Sequence, residues 1–285
     1  MTLRGRLRFL RSVPGAVGAM IVGFVLAVAL LGPYLAPHDP DAPIGLPNSG
    51  PSGSAPFGTD VLGRDVLSRL LHGGRSVILL AAAATILAYL IGLTIGLIAG
   101  FSRSFVDPLL MRTVDVMLAF PPLLFVLILI SGAGTGVTVV VIAVAAIQAP
   151  SVSRVVRTAT QVVAVRGYVE AAVARGESTF AVIRREVIPN ILAPVLVDFG
   201  LRFTYSILII ASVNFLGLGL QPPSSDWALL ISENRQYISL NAWSVLAPAA
   251  MIALLTIGVN LLGDAIARSL GRSYVPRTSR AAVTQ

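Results

Sequence analysis

A chain of 285 residues that is 55% hydrophobic and only 12% charged carries about half the charge of a water-soluble domain. With a mean hydropathy of +0.85, it is excluded from the water-soluble class, and its solvent is lipid. There is no cysteine and all 21 basic residues are arginine, so disulfides and lysine chemistry are excluded. The net charge of +8 reads as basic residues retained on the cytosolic side, not as a nucleic-acid partner.

Charge-free stretches predict an all-α membrane protein with six transmembrane helices. Span one covers 12–37, behind Arg4, Arg6, Arg8 and Arg11. It outlasts the ~7–15-residue apolar region of a signal peptide and reads as an uncleaved helix. The external loop 37–75 is irregular from Pro37 to Pro56. It ends with Leu62, Val66, Leu67, Leu70 and Leu71 spaced for one helical face. His38 and His72 lie in this loop and read as surface residues.

Span two, 76–102, carries Gly92, Gly96 and Gly100 on one face, a pattern for close helix packing within the subunit. Residues 116–153 are uncharged but too long for one span, and Ser131–Gly136 divides them into spans three and four. Asp115 reads as interfacial at the inner end of span three. Span five runs from about Pro194 to Leu220, and span six lies within 236–263, starting near Trp243. Trp227 and Trp243 sit where interfacial tryptophans are expected. Ser212, Asn214 and Asn260 read as interhelical hydrogen-bonding groups.

With the N-terminus inside, sixteen arginines fall in inner segments and only Arg64, Arg69, Arg75 and Arg235 in outer ones. Both termini are therefore expected in the cytosol. The long inner loop, about 154–193, reads as a helical hairpin. One helix runs from Val165 to Arg175, and Gly176 ends it through a left-handed residue. Ser178 caps a second helix with Phe180, Ile183, Val187 and Ile188 on its apolar face. Pro189 then starts the turn into span five. Ala171 and Ala172 are expected at the exposed end, where small side chains can enter a groove on a partner.

Asp198 and Arg202 are one turn apart and can pair. An ionisable pair in a span is either a snorkelling structural pair or a gate, and the expected place is near the cytosolic start of span five.

Glu170-Ala171-Ala172, Gly176, Phe180 and Ile188-Pro189 together resemble the "EAA loop" of permeases in binding-protein-dependent ABC importers. Phe57-Gly58-Thr59-Asp60, Leu62-Gly63-Arg64-Asp65-Val66, Phe120-Pro121, Phe215-Leu216-Gly217-Leu218-Gly219 and Gly263-Asp264 are similar to the dipeptide, oligopeptide and nickel class. The second-permease type, with a span before the core, fits best. The resemblance implies a type I ABC importer permease fold with a cytosolic coupling-helix hairpin. It implies that Glu170, Ala171, Ala172, Arg175, Gly176 and Phe180 couple to an ATPase. Arg175, Arg184 and Arg185 either meet ATPase carboxylates or hold the loop near anionic lipid.

The implied partners are a homologous second permease, two ATPase subunits, an external binding protein and membrane lipid. The implied arrangement is an N-terminal segment 1–75, a core 76–268 and a cytosolic tail 269–285, in a bacterial inner membrane. The implied cargo is a di- or oligopeptide, with nickel or another small solute as the alternative. ATP and Mg belong to the ATPase subunits, and no cofactor is expected in this chain. A phosphate loop of the GxxxxGK[ST] type cannot form without lysine.

A secondary transporter needs mid-membrane acids or inverted repeats, and a serine–histidine enzyme needs histidine at membrane depth. The sequence offers little for the first and nothing for the second.

Overall fold

A computed structural model of the chain describes residues 12–102 and 104–271. Eight of the sixteen arginines counted as inner, Arg4, Arg6, Arg8, Arg11, Arg103, Arg272, Arg277 and Arg280, lie outside them. The described residues are helical, with no strand beyond two isolated bridges in the outer loop. Among the described residues five helices are long and apolar enough to span a membrane, and a helix pair bent by 86° makes a sixth when counted as one broken span.

Helix α1, Val13–Leu35, starts on Ser12, whose side chain accepts from Gly15 N, with proline in the first turn. Its outer surface is apolar and exposed at Met20, Phe24, Leu30 and Leu31, a face for lipid. Helix α2, Val66–Phe101, is one continuous helix of 36 residues capped by Asp65. The short amphipathic helix expected before span two is therefore the first turns of that span.

Helices α3, Val106–Leu118, and α4, Pro122–Ala133, form the bent pair. The sequence placed the start of span three near residue 116, and the helix instead breaks at 119–121. Proline at both 121 and 122 removes two successive N–H donors, and the ladder stops there. Helix α5, Val137–Ala164, packs along α2, the most extensive helix pair. Small residues make this possible. A Cβ built on Gly92, Gly96 or Gly100 would lie 2.6, 2.6 or 2.7 Å from the Cβ of Val152, Val156 or Thr160, so the glycine stripe is a packing face inside the subunit.

Helix α6, Gly167–Ala174, and helix α7, Thr179–Val182, form the inner hairpin. A wide turn, Ile183–Val187, then carries α7 into α8, Ile188–Phe215. Pro189 does not start a turn as expected. It lies one residue into α8, directly after the wide turn Ile183–Val187, and helix runs unbroken from Thr179 to Phe215. Helix α9, Trp227–Asn234, lies outside the spans, and α10, Trp243–Gly271, is the last span.

The outer loop is welded to α9. Arg69 and Arg64 both bind Asp60 Oδ2 at 2.8 Å, and both reach Glu233 Oε2, at 2.6 and 3.1 Å. Asn234 Oδ1 accepts Val61 N at 2.9 Å. Trp227 is fully buried rather than interfacial, donating its indole N–H to Leu70 O at 2.8 Å. Trp243 is half exposed and stacks on Phe57 with ring centroids 5.3 Å apart.

His38 is partly buried, with Nδ1 3.3 Å from Asp65 Oδ2, so it is not a free surface residue. Ser212 and Asn260 bond carbonyls of their own helices instead of bridging between helices. Asn214 caps the loop that follows α8, accepting Leu220 N and donating to Asp226 Oδ1.

Candidate functional site

The hairpin is closed by its backbone. Arg175 ends α6, and Gly176 follows at φ +79°. Gly176 N–H bonds Val173 O at 2.9 Å and Glu177 N–H bonds Ala172 O at 3.3 Å, the two bonds of a Schellman cap. Ser178 Oγ accepts Ala181 N at 3.3 Å and starts α7. The sequence signals for stop and start thus act as expected, although α6 begins at Gly167 rather than Val165.

The burial pattern corrects one expectation. Ala172 is not at the exposed end. It is fully buried, with Val169, Val182, Val187 and Ile191, against Val156 and Val163 of α5. The exposed face carries Tyr168, Glu170, Ala171, Val173 and Phe180, with Phe180 73% exposed. Arg175 is exposed and pairs with Glu177 Oε1 at 2.6 Å. Arg184 and Arg185 lie in the wide turn, away from the buried face. Between the hairpin and the inner ends of α2 and α3 lies a cleft of about 830 Å³ lined by Phe101, Val106, Val169, Glu170, Val173 and Ile183.

Two ion pairs fasten the neighbouring scaffold. Arg157 holds Asp107 with both oxygens, Nε to Oδ1 at 2.5 Å and Nη2 to Oδ2 at 2.6 Å. Arg154 pairs with Asp115, and both side chains are about half exposed, in keeping with the interfacial reading of Asp115.

A second polar site lies deeper. Asp198 and Arg202 pair across one turn, Nε to Oδ1 at 3.3 Å. They sit near the middle of α8, which extends the helix back to Ile188, before the expected start of span five. Tyr89 of α2 donates to Asp198 Oδ2 at 2.7 Å. Close by, Thr85, Gln148 and Ser206 form a buried chain across α2, α5 and α8. The sequence reading missed Tyr89, Thr85, Gln148 and Ser206. The available signal was a polar residue inside each otherwise apolar span.

The comparisons with known proteins agree with this architecture. Residues 92–274 match the family described as binding-protein-dependent transport system inner membrane component. Residues 4–51 match the N-terminal TM domain of oligopeptide transport permease C. The di/tripeptide transport system permease protein DppC of Pseudomonas aeruginosa is 37% identical over 90% of this chain and 87% of its own length. The glutathione transport system permease protein GsiD of Pectobacterium atrosepticum is 33% identical over 92% and 88%. Among solved structures, the MetNI methionine ABC transporter in an inward-facing conformation superposes with a TM-score of 0.60 at 16% identity, over 71% of this chain and 96% of that one.

Proposed function

The chain belongs to the inner membrane components of binding-protein-dependent transport systems, and from that premise we propose that it is the second permease of an importer for di- or oligopeptides. Its fold is that of the type I ABC importer permeases, and such a chain is a transport subunit, not an enzyme. Peptide cargo is supported by relatives named for di/tripeptide and dipeptide transport that align along most of their length. In this reading the protein sits in a bacterial inner membrane with both termini in the cytosol. It pairs with a homologous permease, takes cargo from an external binding protein and couples to two ATPase subunits, which hold ATP and Mg.

The observation that carries the coupling role is the continuity of helix from the hairpin to the middle of the membrane. The exposed face of Glu170, Ala171 and Phe180 offers a carboxylate, a small side chain and an apolar ring to an ATPase groove. Ala172 and Val169 lock that face to α5, and Gly176 fixes the turn. A displacement of α7 passes through the wide turn 183–187 into α8, which bears Asp198 and Arg202. Wide turns of this kind recur at functional sites. Closure of the ATPase pair on ATP would pull the two hairpins together and favour the outward-open path, and hydrolysis would release it. Cargo and nucleotide then bias the same two states reciprocally. In this reading the Asp198–Arg202 pair, near the middle of α8, serves as the gate.

The test is co-purification of the ATPase subunits with Glu170→Arg and Gly176→Arg permeases, together with dipeptide uptake. Loss of ATPase binding and uptake is expected. Binding and uptake both at wild-type level would reject the coupling role.

A further inference from the structure

Helix α3 stops at Leu118 and α4 restarts at Pro122 after an 86° bend, the geometry of a broken span or a re-entrant loop. In either, non-helical backbone within a bilayer persists only where protein covers it or where it borders a watery cavity. A small cavity of about 100 Å³ is in place there, lined by Leu118, Phe120 and Pro122 of the break and by Gln148, Ser151, Arg202 and Tyr205 of α5 and α8. Its volume holds about three waters, room for one end of a small solute and not for a whole peptide.

The polar groups around it are left with unused capacity. Arg202 commits only its Nε, to Asp198, and its two Nη groups have no partner among the described residues. Asp198 is separately satisfied by the Tyr89 hydroxyl. The guanidinium can therefore turn a two-pronged edge toward an anion while its own counter-charge stays paired. In α4, Phe125 is the first residue whose N–H finds a backbone carbonyl, Pro121 O at 3.0 Å. Leu123 and Leu124 N–H stay free at the positive end of that helix, which favours an anion.

The third capacity is an acceptor. Thr85 donates to Ala81 O, so the Ser206 proton goes to Thr85 Oγ1. Gln148 Nε2 must then donate to Ser206 Oγ, at 2.6 Å. This directed chain leaves Gln148 Oε1 without a partner on a residue only 2% exposed.

We propose that this cavity is a subsite for the carboxylate end of the cargo, with Arg202 and the α4 N-terminus holding the carboxylate and Gln148 Oε1 accepting a nearby N–H. A free-acid peptide carries that combination at its C-terminal residue. The subsite rests on the peptide-importer reading, because the rest of the cargo would face the second permease.

The test uses the complete complex, with its binding protein, in proteoliposomes. Two probes are compared under conditions that saturate the binding protein: dialanine and dialanine amide. The permeases are wild type, Arg202→Lys, and the double variant Asp198→Asn/Arg202→Gln, which leaves no uncompensated carboxylate. The ratio of dialanine to amide uptake should fall on the order of tenfold in the double variant and partly in Arg202→Lys, as loss of a charged two-pronged hydrogen bond predicts. A lesion that only damages packing lowers both probes in proportion, so an unchanged ratio in both variants overturns the subsite. Failure of the wild-type complex to take up either probe would instead reject the peptide reading itself.

Discussion

The Tyr89 hydroxyl donates to Asp198 Oδ2 at 2.7 Å, so a phenol on α2 and a guanidinium on α8 share one carboxylate near the middle of α8. Tyr89→Phe removes one of those two donors from a buried acceptor, at a cost of about 1–3 kcal/mol. The thermal midpoint of the purified permease should fall, and Asp198→Asn in the same background should recover part of the loss. An unchanged midpoint in Tyr89→Phe contradicts the shared-carboxylate account.

The α2–α5 contact makes a contrasting pair of substitutions informative. A Cβ built on Gly96 would lie 2.6 Å from Val156 Cβ and 2.7 Å from Ser153 O, whereas one built on Gly132 would meet nothing within 4 Å. Gly96→Ala should destabilise the chain by about 1–3 kcal/mol through overpacking. Gly132→Ala should be neutral or slightly stabilising, since it lies in a helix. Thermal unfolding in one detergent compares them directly.

The outer weld predicts a larger effect. Arg69 is fully buried and bonds both Asp60 and Glu233. Arg69→Met strands two carboxylates around Arg64 alone, and breaking such a buried pair costs about 3–5 kcal/mol. Protease cleavage within the loop 37–65 should become faster at equal protein concentration. Unchanged cleavage would show that the loop is held by other contacts, such as Phe57 on Trp243.

A pH effect follows from Asp226, which lies between α8 and α9 outside the spans. Burial raises its carboxyl above the ordinary carboxylate range, and the partners that pull it back down are Ser76, Asn214 and backbone N–H groups, none of them a cation. A raised folded value means that the protonated form is favoured by folding. Its contribution is full below the unfolded value and is lost as pH rises through the folded one. Asp226→Asn should therefore flatten the fall in stability from acid toward neutral pH. Its amide can donate to Ser76 Oγ, which already reaches Gly73 O at 3.1 Å. Thermal midpoints across that range check the slope.

Much of this molecule was legible from residue order alone. Charge-free runs located the spans, and the Gly176 and Ser178 signals located the hairpin, because caps act through the chain's own backbone. What escaped reading depends on tertiary contact. Pro189 looks like a break, yet the helix continues through it behind the wide turn Ile183–Val187. Ala172 looks available to a partner, yet Val156 and Val163 bury it. The bend at 119–121 needed both prolines to be weighed against apolar continuity. The mid-membrane polar cluster joins residues up to 121 positions apart, such as Thr85 and Ser206, and no local pattern reports such a pairing.

The absence of native cysteine permits one decisive measurement on the hairpin. A single Phe180→Cys permease, expressed with its partners in intact cells, should resist a membrane-impermeant maleimide added outside and should crosslink to the ATPase subunit. Rapid labelling from outside, or no crosslink to the ATPase in an assembled complex, would contradict a cytosolic hairpin that transmits ATP-driven motion to α8.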